Sequence, residues 1–206
     1  MPKAEEAITS FTKLAIENGV KRLVLLSGRG EEGAQQSEQA LINSGAEWTI
    51  LRASWFRQNF SESFLLDPVR QGVLALLVGD IKEPFVDVDD IAEVAVAALT
   101  DNRHTGQLYE LTGPRLLTFA EATEEIAGAT KKQIQYVFIS NEDFLLGLKQ
   151  EGLPIDVVDL LMELFTNALD GRNSSMTDGV QRALGRKPRD FSDYARNTAA
   201  KGVWDN

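Results

Sequence analysis

Two short apolar runs with a helical stretch between them constrain this chain more than anything else in it. Leu23–Leu26 in RLVLLS is a continuous apolar run, and EWTILRAS is a second segment of the same type. A strand without polar alternation suits a parallel sheet buried on both faces better than a half-solvated antiparallel one. Parallel neighbours need a crossover, and residues 34–43, closed by Gly45, supply a helical one. Another helix comes first: Ala4, Ile8, Phe11, Leu14 and Ala15 recur at helical spacing, and Gly19 is placed to end it in the left-handed region. The resulting αβαβ rhythm is that of a doubly wound α/β protein.

The rest of the chain continues the pattern. FRQNFSESFLLDPVRQG reads as helix or helical turn, VLALLVG as a short strand, and DVDDIAEVAVAALTD as a helix with an acidic first turn. QLYELTG reads as a third strand of the sheet, TFAEATEEIAGAT as a helix that Thr118 would cap, and IQYVFIS as a further strand. From Asn141 to about Ala200 the spacing is helical, strongest in LPIDVVDLLMELFTNALDG. Of Asp87, Asp89 and Asp90 in FVDVDDIAEV, an aspartate before the helix is expected to cap it rather than to hold a metal.

Composition removes several classes of function. A net charge of −10 disfavours nucleic-acid backbones and anionic membranes as partners. GVLALLVG is too short to span a bilayer, and MPKAEEAITS has no signal-peptide core, so a cytoplasmic location is expected. The absence of cysteine rules out disulfides and thiolate chemistry, and one histidine rules out a histidine-built metal site. That residue, His104 in TDNRHTGQ, reads as an ordinary surface residue of a polar loop.

GRGEEG, residues 28–33, matches the GxGxxG dinucleotide fingerprint and lies between a strand and a helix. Glu31 and Glu32 would repel the pyrophosphate that such a turn holds, whereas both suit a helix N-terminus with no anion bound. The next strand ends in Leu51 and Arg52 instead of a ribose-binding acid. Arg52 keeps open a reading in which it accepts the 2′-phosphate of NADP.

In order and spacing, GVKRLVLLSGRG, SGAEWTILRASWFRQNF, PFVDVDDIAEVAVAAL and QLYELTGPRLLTFAEA together resemble the NmrA-like atypical short-chain dehydrogenases. Within that family they are most similar to the ergot-alkaloid reductase subgroup, the agroclavine dehydrogenase-like proteins. The likeness runs from Ala4 to the final GRKPRDFSDYARNTAAKGVW. It implies a Rossmann-like doubly wound parallel sheet, N-terminally truncated, read from strand four onward and followed by a mostly helical C-terminal substrate lobe. RLVLLS would be strand four and EWTILRAS strand five. The true phosphate loop would lie on a first strand, within a half of roughly 70–90 residues that this sequence lacks. Residues 1–130 would then form a partial NAD(P)-binding domain and 131–206 the lobe. Strand four would present an apolar edge open to a second copy of the chain.

The same resemblance implies NADP, or NAD, as cofactor and a small-molecule substrate. No Tyr-x-x-x-Lys pair is present: Tyr109, Tyr136 and Tyr194 are followed at that spacing by Gly113, Ser140 and Thr198. Catalytic residues are therefore not assigned. An acceptor that is already electron-poor, an iminium or a quinone, needs position more than acid catalysis. Ser27, Gly28, Ala53, Ser54 and Trp55 end the two strands, where ligands of open α/β sheets bind. By resemblance Phe56 joins them at the cofactor, and Phe56 with Asn59 walls the substrate. Trp55, Phe56 and Phe60 also fit as packed aromatics, Phe60 best. The expected function is NAD(P)H-dependent hydride transfer. The alternatives are a non-catalytic cofactor-sensing regulator acting through a protein partner, or an inactive fragment.

Overall fold

A computed structural model describes residues 4–205. In chain order its elements are α1 (Ala4–Glu17), β1 (Arg22–Gly28), α2 (Glu32–Ile42), β2 (Glu47–Ala53), α3 (Asn59–Glu62), α4 (Leu66–Gln71), β3 (Val73–Leu76) and β4 (Lys82–Glu83). There follow α5 (Val88–Thr100), β5 (Gln107–Leu111), β6 (Leu117–Thr118), α6 (Phe119–Thr130), β7 (Gln135–Phe138), α7 (Asn141–Gln150), α8 (Ile155–Glu163), α9 (Gly179–Leu184) and α10 (Phe191–Ala200). They form two compact units, one of residues 4–54, 88–112 and 177–188, the other of residues 55–87, 113–176 and 189–205.

The first unit is built on a parallel sheet in the order β1-β2-β5. RLVLLS, EWTILRAS and QLYELTG thus pair as their apolar runs require. Helix α1 packs on α2, α5 covers β1 and β2, and α9 lies against β5. The approach of α9 is so close that a β-carbon at Gly179 would sit 2.0 Å from the Glu110 carbonyl oxygen.

Two expectations fail in this unit, for β1 and His104, and the spacing in α1 left its buried side open, each because burial depends on what lies opposite. Strand β1 is not buried on both faces: Leu23, Val24 and Leu25 are half-buried and Leu26 is 50% exposed. Among the described residues it is an edge strand, paired in the sheet with β2 alone. In α1 the small Thr12 is the buried residue, while Phe11 and Leu14 are 61% and 59% exposed. Finally, His104 is fully buried and not a surface residue. Tyr109 on β5 lies 2.8 Å from its Nδ1, and Arg103 Nε donates to its Nε2 at 3.0 Å. An arginine Nε can only donate, so the histidine proton sits on Nδ1 and is given to the Tyr109 hydroxyl.

The second unit has two small sheets, β3 with β7 in parallel and β4 with β6 antiparallel. Its core is aromatic. Phe60, Phe85, Phe119, Phe165 and Phe191 are buried together, with ring pairs at 5.1–6.1 Å in edge or tilted geometry. Trp204 closes that core, its indole N–H donating to the Phe60 carbonyl at 2.8 Å. Thr118 and Glu121 form a reciprocal capping box that fixes the start of α6, as the Thr118 spacing predicted.

Candidate functional site

The carboxyl ends of the three parallel strands are tied by charge. Register places Ser27 beside Arg52 and Arg52 beside Glu110, so the three side chains share one face of the sheet. Glu38 reaches that face from α2 and is itself buried. The Ser27 hydroxyl donates to Glu38 Oε1 at 2.6 Å, and the Arg52 Nε–H donates to the same oxygen at 2.9 Å. Arg52 also pairs with Glu38 Oε2 and, at 3.1 Å, with Glu110 Oε1, while Arg29 lies 3.4 Å from Glu110 Oε2. The hydrogen bond to Glu38 is foremost in raising the Arg52 pKa above its ordinary value. Both carboxylates are thus compensated from within.

This network settles the glycine-rich turn. Arg52 is committed to two carboxylates of its own sheet and offers no free guanidinium to a 2′-phosphate. The bare face of Gly28 is also taken, since a β-carbon there would meet Glu31 Oε1 at 2.0 Å. Glu31, extended at the start of α2, lays its carboxylate where a phosphate cradle would need space. The residues of GRGEEG therefore do not fit a pyrophosphate. At the end of β2, Ala53 and Ser54 are small and buried, and the Ser54 hydroxyl is turned to the Leu111 carbonyl at 3.3 Å.

Trp55, Phe56 and Asn59 open the second unit. The Trp55 carbonyl accepts from Val86 N–H and the Val86 carbonyl from Arg57 N–H, each at 3.0 Å, which pins Phe56 opposite Val86. Phe56 is half-buried, Asn59 begins α3, and the Asn59 side-chain amide makes no hydrogen bond among the described residues. Phe60, as expected, is core. The Trp55 ring lies against Phe119 at 5.7 Å and Phe165 at 5.1 Å, and its Nε1–H is buried without an acceptor.

The aspartates of DVDD part company. Asp87 is buried and pairs with the fully buried Arg57, whose guanidinium also donates to the Arg189 carbonyl at 3.1 Å and lies over the Tyr194 ring. Asp90 pairs with Arg186 at 2.8 Å, and Asp89 is exposed. Among the described residues no three metal-binding side chains converge.

No tyrosine is poised as an acid. Burial raises the pKa of all three: Tyr109 as the partner of His104, Tyr136 to about 12 with its hydroxyl on the Val78 carbonyl, and Tyr194 higher still. Sequence reasoning missed Glu38, which only strand register and the reach of α2 make visible. It also missed that the Trp55 N–H has no acceptor, for which the sequence carries no signal.

No family model matches the chain. It is 34% identical over 197 residues to the uncharacterized oxidoreductase YesF of Bacillus subtilis, covering 94% of this chain and 69% of that one. It is 31% identical over 206 residues to agroclavine dehydrogenase of Claviceps fusiformis, covering 96% and 70%. Among solved structures it is similar to the NADPH-dependent quinone oxidoreductase QOR2 of Escherichia coli complexed with NADPH, at 24% identity and a TM-score of 0.79, covering 92% and 70%. Across eight curated relatives the chain spans 66–70% of their length.

Proposed function

Because the chain belongs to the NmrA-like NAD(P)-binding oxidoreductases, alongside the ergot-alkaloid reductases, we propose that it serves NAD(P)H-dependent reduction of a small electron-poor organic substrate such as an iminium or a quinone. The observation that carries this reading is at the strand ends. Both hydroxyls there, on Ser27 and Ser54, have their hydrogens committed to Glu38 and Leu111, and no tyrosine stands in for them. Such a site holds and orients its reactants and has no side-chain acid to give, which suits an acceptor that needs none. The cofactor, when bound, supplies the hydride.

Ser27, Gly28, Ala53, Ser54, Trp55 and Phe56 are assigned to the nicotinamide end of the cofactor, and Phe56 and Asn59 to the substrate. The pyrophosphate end finds no partner in GRGEEG. Among the described residues no helix is long and apolar enough to cross a membrane.

The test is NADPH oxidation, followed at 340 nm with menadione and with cyclic iminium salts, by the chain and by any longer natural form of it. Phe56→Ala and Asn59→Ala should lower turnover more than Asp89→Ala. Cofactor binding without oxidation of any acceptor would instead make the protein a cofactor sensor.

A further inference from the structure

We infer that the Trp55 indole N–H is the hydrogen-bond donor for a carbonyl oxygen of the substrate, and that the substrate is therefore of the quinone class rather than a cationic iminium. This rests on the reductase reading above and narrows it.

A buried polar group without a partner is rare, because it forgoes its bonds to water with nothing in return. Trp55 Nε1 is such a group, and every other interaction of this side chain is aromatic. The faces of Phe119 and Phe165 satisfy an N–H only weakly. Trp204 in the same unit shows the ordinary arrangement, its N–H on a carbonyl at 2.8 Å. The position in the chain is also informative, since Trp55 is the second residue past the end of β2.

Phe165 packs against the indole at 5.1 Å. It sits on a π-helical turn, Leu164–Ala168, that continues α8 and is closed by the Leu169 N–H on the Leu164 carbonyl at 3.1 Å. Such turns are rare and recur at functional sites.

An indole N–H donates and does not accept. A quinone oxygen offers it a lone pair, and an iminium nitrogen, already bonded four ways, offers none. When a quinone gains a hydride, with the reduced nicotinamide as two-electron donor and solvent supplying the balancing proton, negative charge gathers on that oxygen. A donor already aimed at it stabilises the charge without surrendering its own proton.

The experiment uses the chain without cofactor, so that no turnover intervenes. Three indole N–H resonances are expected, from Trp48, Trp55 and Trp204. The one lost in Trp55→Phe identifies Trp55. Titration with menadione should move that resonance downfield in a saturable way and leave the Trp204 resonance in place. Trp55→Phe, which keeps an aromatic ring, should weaken menadione binding about threefold to tenfold, the range for one net hydrogen bond. A dihydroisoquinolinium salt should neither move the resonance nor distinguish the variant from the parent.

The inference is overturned if menadione does not bind, if it saturates without moving the Trp55 resonance, or if both proteins bind it equally. If menadione is reduced in the NADPH assay while the resonance stays fixed, only the role of Trp55 fails. If the resonance moves and Trp55→Phe binds less but no form oxidises NADPH, only the reductase reading fails.

Discussion

Asp87→Asn should unfold the second unit far more readily than Asp89→Asn, although the two aspartates stand two residues apart. Arg57 is fully buried, and Asp87, which is 5% exposed, is its counter-charge; Gln58 steadies that carboxylate from 2.6 Å. Replacing the carboxylate by an amide keeps the shape but leaves a guanidinium charge inside the protein without its counter-charge, beside the Arg189 carbonyl and the Tyr194 ring. Breaking a buried pair from one side costs about 3–5 kcal/mol. Asp89 is exposed in the first turn of α5, where a carboxylate contributes about 0.3–1 kcal/mol through the helix dipole.

At about 2–4 °C per kcal/mol for a chain of this size, the melting temperature should fall by roughly 6–20 °C for Asp87→Asn and by under about 4 °C for Asp89→Asn. Thermal melts followed by tryptophan fluorescence test this, with Trp55 and Trp204 both reporting on the unit that holds the pair. A third protein, Arg57→Met with Asp87→Leu, removes both charges. It should recover most of the loss, since replacing a buried pair by apolar groups of similar volume is often neutral. Equal shifts for the two single variants, or a double variant no better than Asp87→Asn, would refute the account of Asp87 as the compensating charge.

Four other outcomes are expected. Gly179→Ala should destabilise severely, because the new methyl would lie 2.0 Å from backbone at Glu110, whereas Gly28→Ala meets only the mobile end of Glu31 and should cost little; matched thermal melts compare them. Burial, aided by the Arg103 charge, lowers the His104 pKa from its ordinary 6.5, so stability should be full above that value and fall as pH drops from it through the folded value. An NMR titration of the one histidine ring with a midpoint at or above 6.5 would contradict this. The chain should bind NADPH more weakly than micromolar by calorimetry, because Glu31 covers Gly28 and Arg52 is committed to Glu38 and Glu110. Strand β1 should draw copies of the chain together in light scattering, and Leu26→Lys, at a site already 50% exposed, should reduce that association without loss of fold; a monomeric parent would discount the edge.

The sequence exposed what is local and concealed what is relational. Leu23–Leu26 announced a parallel strand because a continuous apolar run is a property of the segment itself. Which of those leucines is covered depends on what packs on each face of the sheet, and Leu26 is 50% exposed. The spacing in α1 established a helix but not its rotation, and the small Thr12 won the place against α2 that Phe11 and Leu14 were eligible to fill. His104 lies in a stretch whose polar composition signals surface, yet the strand that follows brings Tyr109 back across it.

The site divides along the same line. Strand ends are fixed by topology, so the small residues Ser27, Gly28, Ala53 and Ser54 could be named in advance. Arg52 could be seen as a charge at a strand end, but its commitment to Glu38 and Glu110 appears only once three strands are in register. The aspartates of DVDD look alike in the sequence, and the fold gives one to Arg57, one to Arg186 and leaves one exposed. An unmet hydrogen bond is the extreme case. That the Trp55 N–H has no acceptor is a statement about everything around it, which no spacing of residues can encode.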